Sequence, residues 1–183
     1  GSGKSVILHD SLPSVLDNYM DISQKPIKGN SLSTVGTYTK LSEEVRSCFS
    51  KKFKKESSFF GKNGQVGCKC CNGAGYIDIG EYYGKSVRTV CSECGGSGYN
   101  KTAEDYKING ISIAAAAGMP ISELKEQIEL SKKAQQTIEL MEAVHLEYLS
   151  LNRNIGTLSG GENQRIKLVM ALTKKEGMII GLD

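Results

Sequence analysis

The chain has 183 residues, 39% of them hydrophobic and 23% charged, with a formal net charge of +3, which suffices for one domain or a core carrying an inserted module. So mild a basic balance permits nucleic-acid binding without arguing for it. No apolar run approaches the ~20 residues that cross a bilayer, and no secretory leader opens the sequence; membrane-spanning and exported classes are set aside, and a cytoplasmic setting with reduced thiols is expected.

The first five residues are Gly1-Ser2-Gly3-Lys4-Ser5, the second half of a phosphate-binding loop. Glycines let backbone N–H groups curl around phosphate oxygens at a helix start. Lys4 would reach the β and γ phosphates and Ser5 would place its hydroxyl on Mg²⁺. The chain opens inside this motif and closes inside another, Ile179–Asp183, so it reads as a piece of a longer protein. A short helix is expected over 6–20, with Val6, Ile7, Leu8 and Leu12 facing a core, and a loop over 21–40, which holds Pro26, Gly29 and Gly36. The spacing of Leu41, Val45, Cys48, Phe49 and Phe53 predicts an amphipathic helix that runs into Lys51, Lys52, Lys54 and Lys55. Those lysines are either phosphate contacts or a solvated helix end.

Cys-x-x-Cys-x-Gly-x-Gly occurs at 68–75 and again at 91–98. Clustered cysteines in a reducing compartment read as metal ligands before disulfides, and Cys68, Cys71, Cys91 and Cys94 suit a closed structural Zn²⁺ site. Cys70 offers a competing pairing, and Cys48 falls to the helix core. Strands are expected at 76–79 and 87–90, joined by a turn at 80–84. The tip carries Tyr82, Tyr83, Lys85 and Arg88, able to stack on bases and neutralise phosphate, although the tyrosines suit packing on the knuckles too. Farther on, Ser122 is a plausible N-cap with Glu123 and Glu126 in the first turn. Ile138, Met141, Val144 and Tyr148 make a second helical stripe, read as a core or partner-helix face. His9 and His145 receive no role.

Leu158-Ser-Gly-Gly-Glu-Asn-Gln-Arg-Ile-Lys-Leu168 places Ser159 and the N–H groups of Gly160 and Gly161 at a helix start, an anion site. The helix is expected over 162–172, followed by an apolar strand over 178–182 that ends at Asp183. This run resembles the signature motif of ATP-binding cassette proteins, with Gln164 and Arg165 following on its helix. Zinc knuckles inserted between phosphate loop and signature resemble the UvrA family of DNA-damage-sensing excinuclease proteins. The knuckle spacing and Tyr99-Asn100 are similar to those of that family's C-terminal cassette. Ile22-Ser-Gln-Lys-Pro-Ile27 is similar to its Q-loop, and Gly36-Thr-Tyr-Thr39 fits the segment after it.

The resemblance implies an α/β P-loop NTPase of the cassette type with an inserted helical signature domain and a zinc-binding hairpin module. Residues 1–30 would begin the ATP-binding core, 31–150 would form the insert with its zinc module at 66–100, and 151–183 would return to the core. ATP would be held by Gly1 to Ser5 and, from a partner cassette, by Ser159, Gly160, Gly161 and Glu162. Lys4, Gln24 and Asp183 would be the catalytic groups, with Ser5 and Asp183 on Mg²⁺. The family implies DNA binding through shape and phosphate, with Lys51, Lys52, Lys54, Lys55, Lys85 and Arg88 as candidates. It implies a role in DNA damage recognition, excision repair and the SOS response. Its partners would be a second cassette, in the same chain or a homodimer, and other excinuclease components. The chain alone is expected to bind zinc without hydrolysing ATP. Only 63 residues separate Lys4 from Cys68, which leaves open a compact cassette conferring resistance to DNA-binding drugs. The knuckles alone resemble the cysteine-rich domain of J-type chaperones, but those lack Leu158–Arg165.

Overall fold

The computed structural model describes residues 11–16, 19–30, 32–83, 85–174 and 179–182. The Gly1–Ser5 loop, Val6, Ile7, Leu8, His9 and Asp183 lie outside the described residues. A one-turn helix, α1 (Leu12–Val15), is followed by β1 (Tyr19–Ile22). The sequence predicted a helix through residue 20 and a loop from 21. Instead β1 pairs in parallel with β6 (Ile179–Leu182), in register from Tyr19↔Ile179 to Ile22↔Leu182. The expected closing strand is therefore present, and the unexpected one is its partner. Gly181 replaces the bulky residue expected in such a strand because a Cβ there would overlap the Tyr19 phenol.

The chain leaves and re-enters this two-stranded sheet through a narrow neck. Val35 N–H donates to Arg153 O at 2.9 Å, Gly36 N–H to Leu151 O at 3.0 Å and Ile155 N–H to Ser33 O at 3.0 Å. Thr34 caps α2 (Val35–Tyr38) through a capping box with Thr37, a helical turn inside the expected loop. Next, α3 (Leu41–Phe53) has the bounds its periodicity predicts and buries Leu41, Val45 and Phe49. Glu43 and Glu44 lie in its first turn and Lys51 and Lys52 in its last, each complementing the helix dipole. Its C-terminal end packs into aromatic residues. Phe60 is fully buried, and Phe53, Phe59 and Phe60 stand edge-on or tilted to Tyr106, with centroids 5.2 to 5.4 Å away.

The hairpin of β2 (Tyr76–Tyr82) and β3 (Lys85–Val90) projects from the cysteine knuckles. Both strands are longer than their apolar runs suggested, and a bulge falls between Asp78 and Gly80. A second, minimal hairpin of β4 (Lys107–Ile108) and β5 (Ile111–Ser112) leads into α4 (Ile113–Gly118), α5 (Ile121–Gln127) and α6 (Lys132–Ala143). Pro120, not Ser122, is the N-cap of α5; proline's fixed φ and missing N–H cost nothing at a helix entry. Helix α6 stops at Ala143, so Val144 and Tyr148 of the predicted stripe lie beyond the helix, while Ile138 and Met141 are buried. The signature helix α7 (Gly160–Leu172) sends Ile166 and Val169 into the same core as Leu41, Phe49, Ile121 and Met141. The knuckle cysteines form a separate small cluster.

Candidate nucleotide and metal sites

Ser159 starts α7 with a reciprocal capping box. Glu162 N–H donates to Ser159 Oγ at 3.3 Å, and Ser159 N–H donates to Glu162 Oε2 at 2.6 Å. Tyr148 Oη donates to the other Glu162 oxygen at 2.5 Å; this is the task of the tyrosine expected to be part of an apolar face. That hydroxyl and the Ser159 N–H hold the Glu162 carboxyl below its usual pKa. The cap uses the Glu162 amide, and the Asn163 amide donates to Ser159 O at 2.9 Å. Among the described residues, the amides of Gly160 and Gly161 find no acceptor. Ser159 and Gly161 are exposed, and a Cβ added at Gly161 meets nothing within 4 Å. Two N–H groups without a partner among the described residues, at the positive end of a helix and with open space beside Gly161, are suited to a phosphate oxygen. Gln24 is exposed and lies against Gly160, where a built Cβ would sit 3.1 Å from its Oε1.

Sequence reasoning missed how α7 is anchored. Asn163 is fully buried, and its amide nitrogen donates to Leu158 O at 3.0 Å and Ser159 O at 2.9 Å. Arg165 Nη1 donates to Val144 O at 2.8 Å and His145 O at 3.2 Å, the open carbonyls past the end of α6. That helix end is marked by the Val144 cap, whose N–H donates to Leu140 O and Glu142 O, and by the positive φ of His145, at 55°.

The sulfurs of Cys68, Cys71, Cys91 and Cys94 all lie within 4.8 Å of one another. Cys68 and Cys91 are 3.9 Å apart, and Cys71 and Cys94 3.7 Å. A tetrahedral zinc with Zn–S of ~2.3 Å requires sulfur–sulfur edges of about 3.8 Å, so the set fits that ion. Four sulfurs leave no open position, which makes the site structural. The two knuckles obey an internal two-fold relation. Cys68 N–H donates to Gly98 O at 2.9 Å and Cys91 N–H to Gly75 O at 3.0 Å. Gly75 has φ +83° and abuts the Gly96 carbonyl, while Gly98 has φ +77° and abuts the Gly73 carbonyl. Only glycine satisfies both the left-handed backbone and the close approach. Gly75 N–H also donates to the Cys71 sulfur at 3.2 Å. Burial nevertheless pushes the Cys71 thiol up to about 12, so a metal is needed to ionise it at neutral pH. Cys70 is exposed and outside the four-sulfur group, whereas Cys48 packs beside the core on α3.

The hairpin tip is free of the knuckles. Tyr82 and Tyr83 are 68% and 89% exposed and meet edge to face, with ring centroids 4.6 Å apart. Ile77 packs against the cysteines instead. Arg88 is engaged within the hairpin, 2.9 Å from Asp78 and 4.4 Å above the Tyr76 ring; the side chain of Lys85 is outside the described residues. Lys51, Lys52, Lys54 and Lys55 are all exposed. Lys55 lies over the Phe59 ring at 4.5 Å and, with Arg46 and Lys62, lines a cleft of about 790 Å³ between α3 and the 55–65 segment. Among the described residues no helix is long and apolar enough to cross a membrane.

The model of the ABC transporter family matches residues 1–183. The chain is 30% identical to the UvrABC system protein A of Thermus thermophilus over 206 aligned residues, covering 96% of this chain and 21% of that protein. For the UvrABC system protein A of Borreliella burgdorferi the identity is 32%, over 96% of this chain and 22% of that protein. The crystal structure of UvrA2 from Deinococcus radiodurans superposes with a TM-score of 0.79 at 28% identity, over 94% of this chain and 24% of that one. The chain thus spans about a fifth of the length of these relatives.

Proposed function

We propose, from the premise that the chain belongs to the ABC transporter family, that it is the signature and zinc-bearing part of an ATP-driven DNA-binding protein of the UvrA kind, acting in nucleotide excision repair. ATP with Mg²⁺ would bind at Gly1–Ser5, with Asp183 supporting the metal and Gln24 beside the γ-phosphate. The Ser159–Gly161 end of a second cassette would close over that phosphate. ATP and ADP would favour closed and open states to different degrees, and that difference would change the grip on DNA. Zinc supplies folding energy to the hairpin module and no catalysis.

The observation that carries this reading is the open N-terminus of α7, where the Gly160 and Gly161 amides have no partner among the described residues and Gln24 lies against Gly160. Its presence in one chain with a four-sulfur cluster favours a UvrA-like protein over a transport motor. The neck at Ser33–Gly36 and Leu151–Ile155 supports treating 31–150 as one insert that leaves and rejoins the ATP-binding core. DNA binding is supported by the Arg46, Lys55 and Lys62 cleft and by the exposed tyrosine tip, and Lys51, Lys52 and Lys54 would add phosphate contacts. A cytoplasmic location and a second cassette as partner follow from the same reading.

The test uses the full-length protein, measuring ATP turnover and the affinity for damaged and undamaged duplexes with ATP and with ADP. The expected result is turnover, with DNA affinity that depends on which nucleotide is bound. Nucleotide-independent DNA binding would overturn the reading. The short interval between Lys4 and Cys68 supports a second reading, resistance to DNA-binding drugs, and preference for drug-intercalated over lesion-bearing DNA would select it.

A further inference from the structure

Residues 22–27 carry Gln24 and form no helix or strand beyond Ile22. Such a segment leaves its backbone groups to be satisfied from elsewhere. Here three side chains of α7 do it. Gln164 Nε2 donates to Ile22 O at 3.1 Å, and Ile27 N–H donates to Asn163 Oδ1 at 3.2 Å. Between them, Lys167 Nζ donates to Ser23 O at 2.9 Å and to Lys25 O at 2.7 Å. Those are the two carbonyls flanking Gln24. A lysine on a partly exposed helix ordinarily keeps its ammonium in water; this one is folded onto backbone. Asn163 and Lys167 are four apart on the helix, so they share one face.

The contrast lies in what is held. The backbone on both sides of Gln24 is tied to α7, while the Gln24 side chain has no hydrogen bond among the described residues and rests against Gly160. We infer that Lys167 is a positioning residue for nucleotide turnover, fixing Gln24 relative to the Ser159–Gly161 end of the same helix. The inference rests on the nucleotide reading proposed above and adds a residue that the motifs do not mark. Lys167 touches no substrate. It acts through the loop, and its charge-assisted bonds are of the stronger kind. The consequence is mechanical: a displacement of Gln24 carries the signature end with it, because both are attached to one helix.

The experiment compares the full-length wild type with Lys167→Met and Lys167→Arg. Steady-state kcat and KM for ATP are measured, together with amide hydrogen exchange over 22–27 and over α7. Lys167→Met is expected to lower kcat by about tenfold or more, the scale of a misplaced reacting group. KM would stay within about threefold, exchange would accelerate over 22–27 and not over α7, and Lys167→Arg would recover most of kcat. A wild-type kcat in Lys167→Met overturns the inference, as does unchanged exchange over 22–27. So does a loss of protection along α7, which would mark a merely structural lysine. An active wild type separates these outcomes from failure of the nucleotide reading; an inactive wild type overturns both.

Discussion

Stripping the metal from the full-length protein should unfold the hairpin module and leave the helical core standing. Among the described hydrophobic residues other than the cysteines, only Ile77, itself half-buried, packs against the small cluster. Full burial of a side chain that size stabilises by about 1.5–3 kcal/mol. The Arg88–Asp78 pair, with side chains 45% and 59% exposed, adds about 0–1 kcal/mol. Structural zinc contributes about 10–16 kcal/mol in comparable small modules and outweighs both several-fold. The helical core contains Phe49, Ile121, Leu124, Ile138 and Met141, all essentially inaccessible to solvent, and these residues belong to a cluster separate from the cysteines. Hydrogen exchange before and after a strong chelator reads both regions in one experiment. Amides of β2 and β3 should lose protection by at least about a thousandfold, equivalent to ~4 kcal/mol, while those of α6 remain as they were. A hairpin that stays protected in the zinc-free protein would refute the reasoning.

Gly98→Ala should weaken the module by at least about 1–2 kcal/mol from the left-handed backbone alone, with overlap at the Gly73 carbonyl adding to it; zinc loss to a colorimetric chelator should quicken accordingly. Glu162 has a depressed carboxyl pKa, so its capping box stabilises α7 above the ordinary carboxylate range. That stability is lost as pH falls through the lower folded value, and Glu162→Ala should flatten the acid limb of an α7 exchange profile. Gly181→Ala should destabilise the protein through the Tyr19 phenol, and Tyr19→Ala should relieve part of that cost, a coupling of about 0.5–3 kcal/mol in a double-mutant cycle.

What the sequence made legible was local. Leu41, Val45 and Phe49 recur at helical spacing, and α3 begins and ends where they predict. The two knuckles repeat a spacing that admits few alternatives, and their sulfurs meet. The missed features depend on distant partners. Strand β1 is four residues with an aspartate inside it, and it is a strand only because β6 lies beside it, 160 positions later in register. The Lys167 bonds span 144 and 142 positions, and a lysine in a helix pattern reads as solvated. Tyr148 continued an apolar stripe in the sequence, but α6 ends before it, which frees its hydroxyl for Glu162. Gly181 looked out of place in an apolar strand until the Tyr19 ring was found in the space its side chain would fill.

The central claim is that the N-terminus of α7 receives a phosphate, and Gly161→Asp in the full-length protein tests it most directly. Open space around Gly161 lets the side chain fit without a clash, and a carboxylate in the first turn favours the helix. Stability should therefore hold or rise slightly, and ATP should still bind at the phosphate loop. Turnover should fall by about 10²–10³, the scale of losing a preorganised anion donor, with the neutral Gly161→Asn falling less. A Gly161→Asp protein that hydrolyses ATP at the wild-type rate would contradict the account.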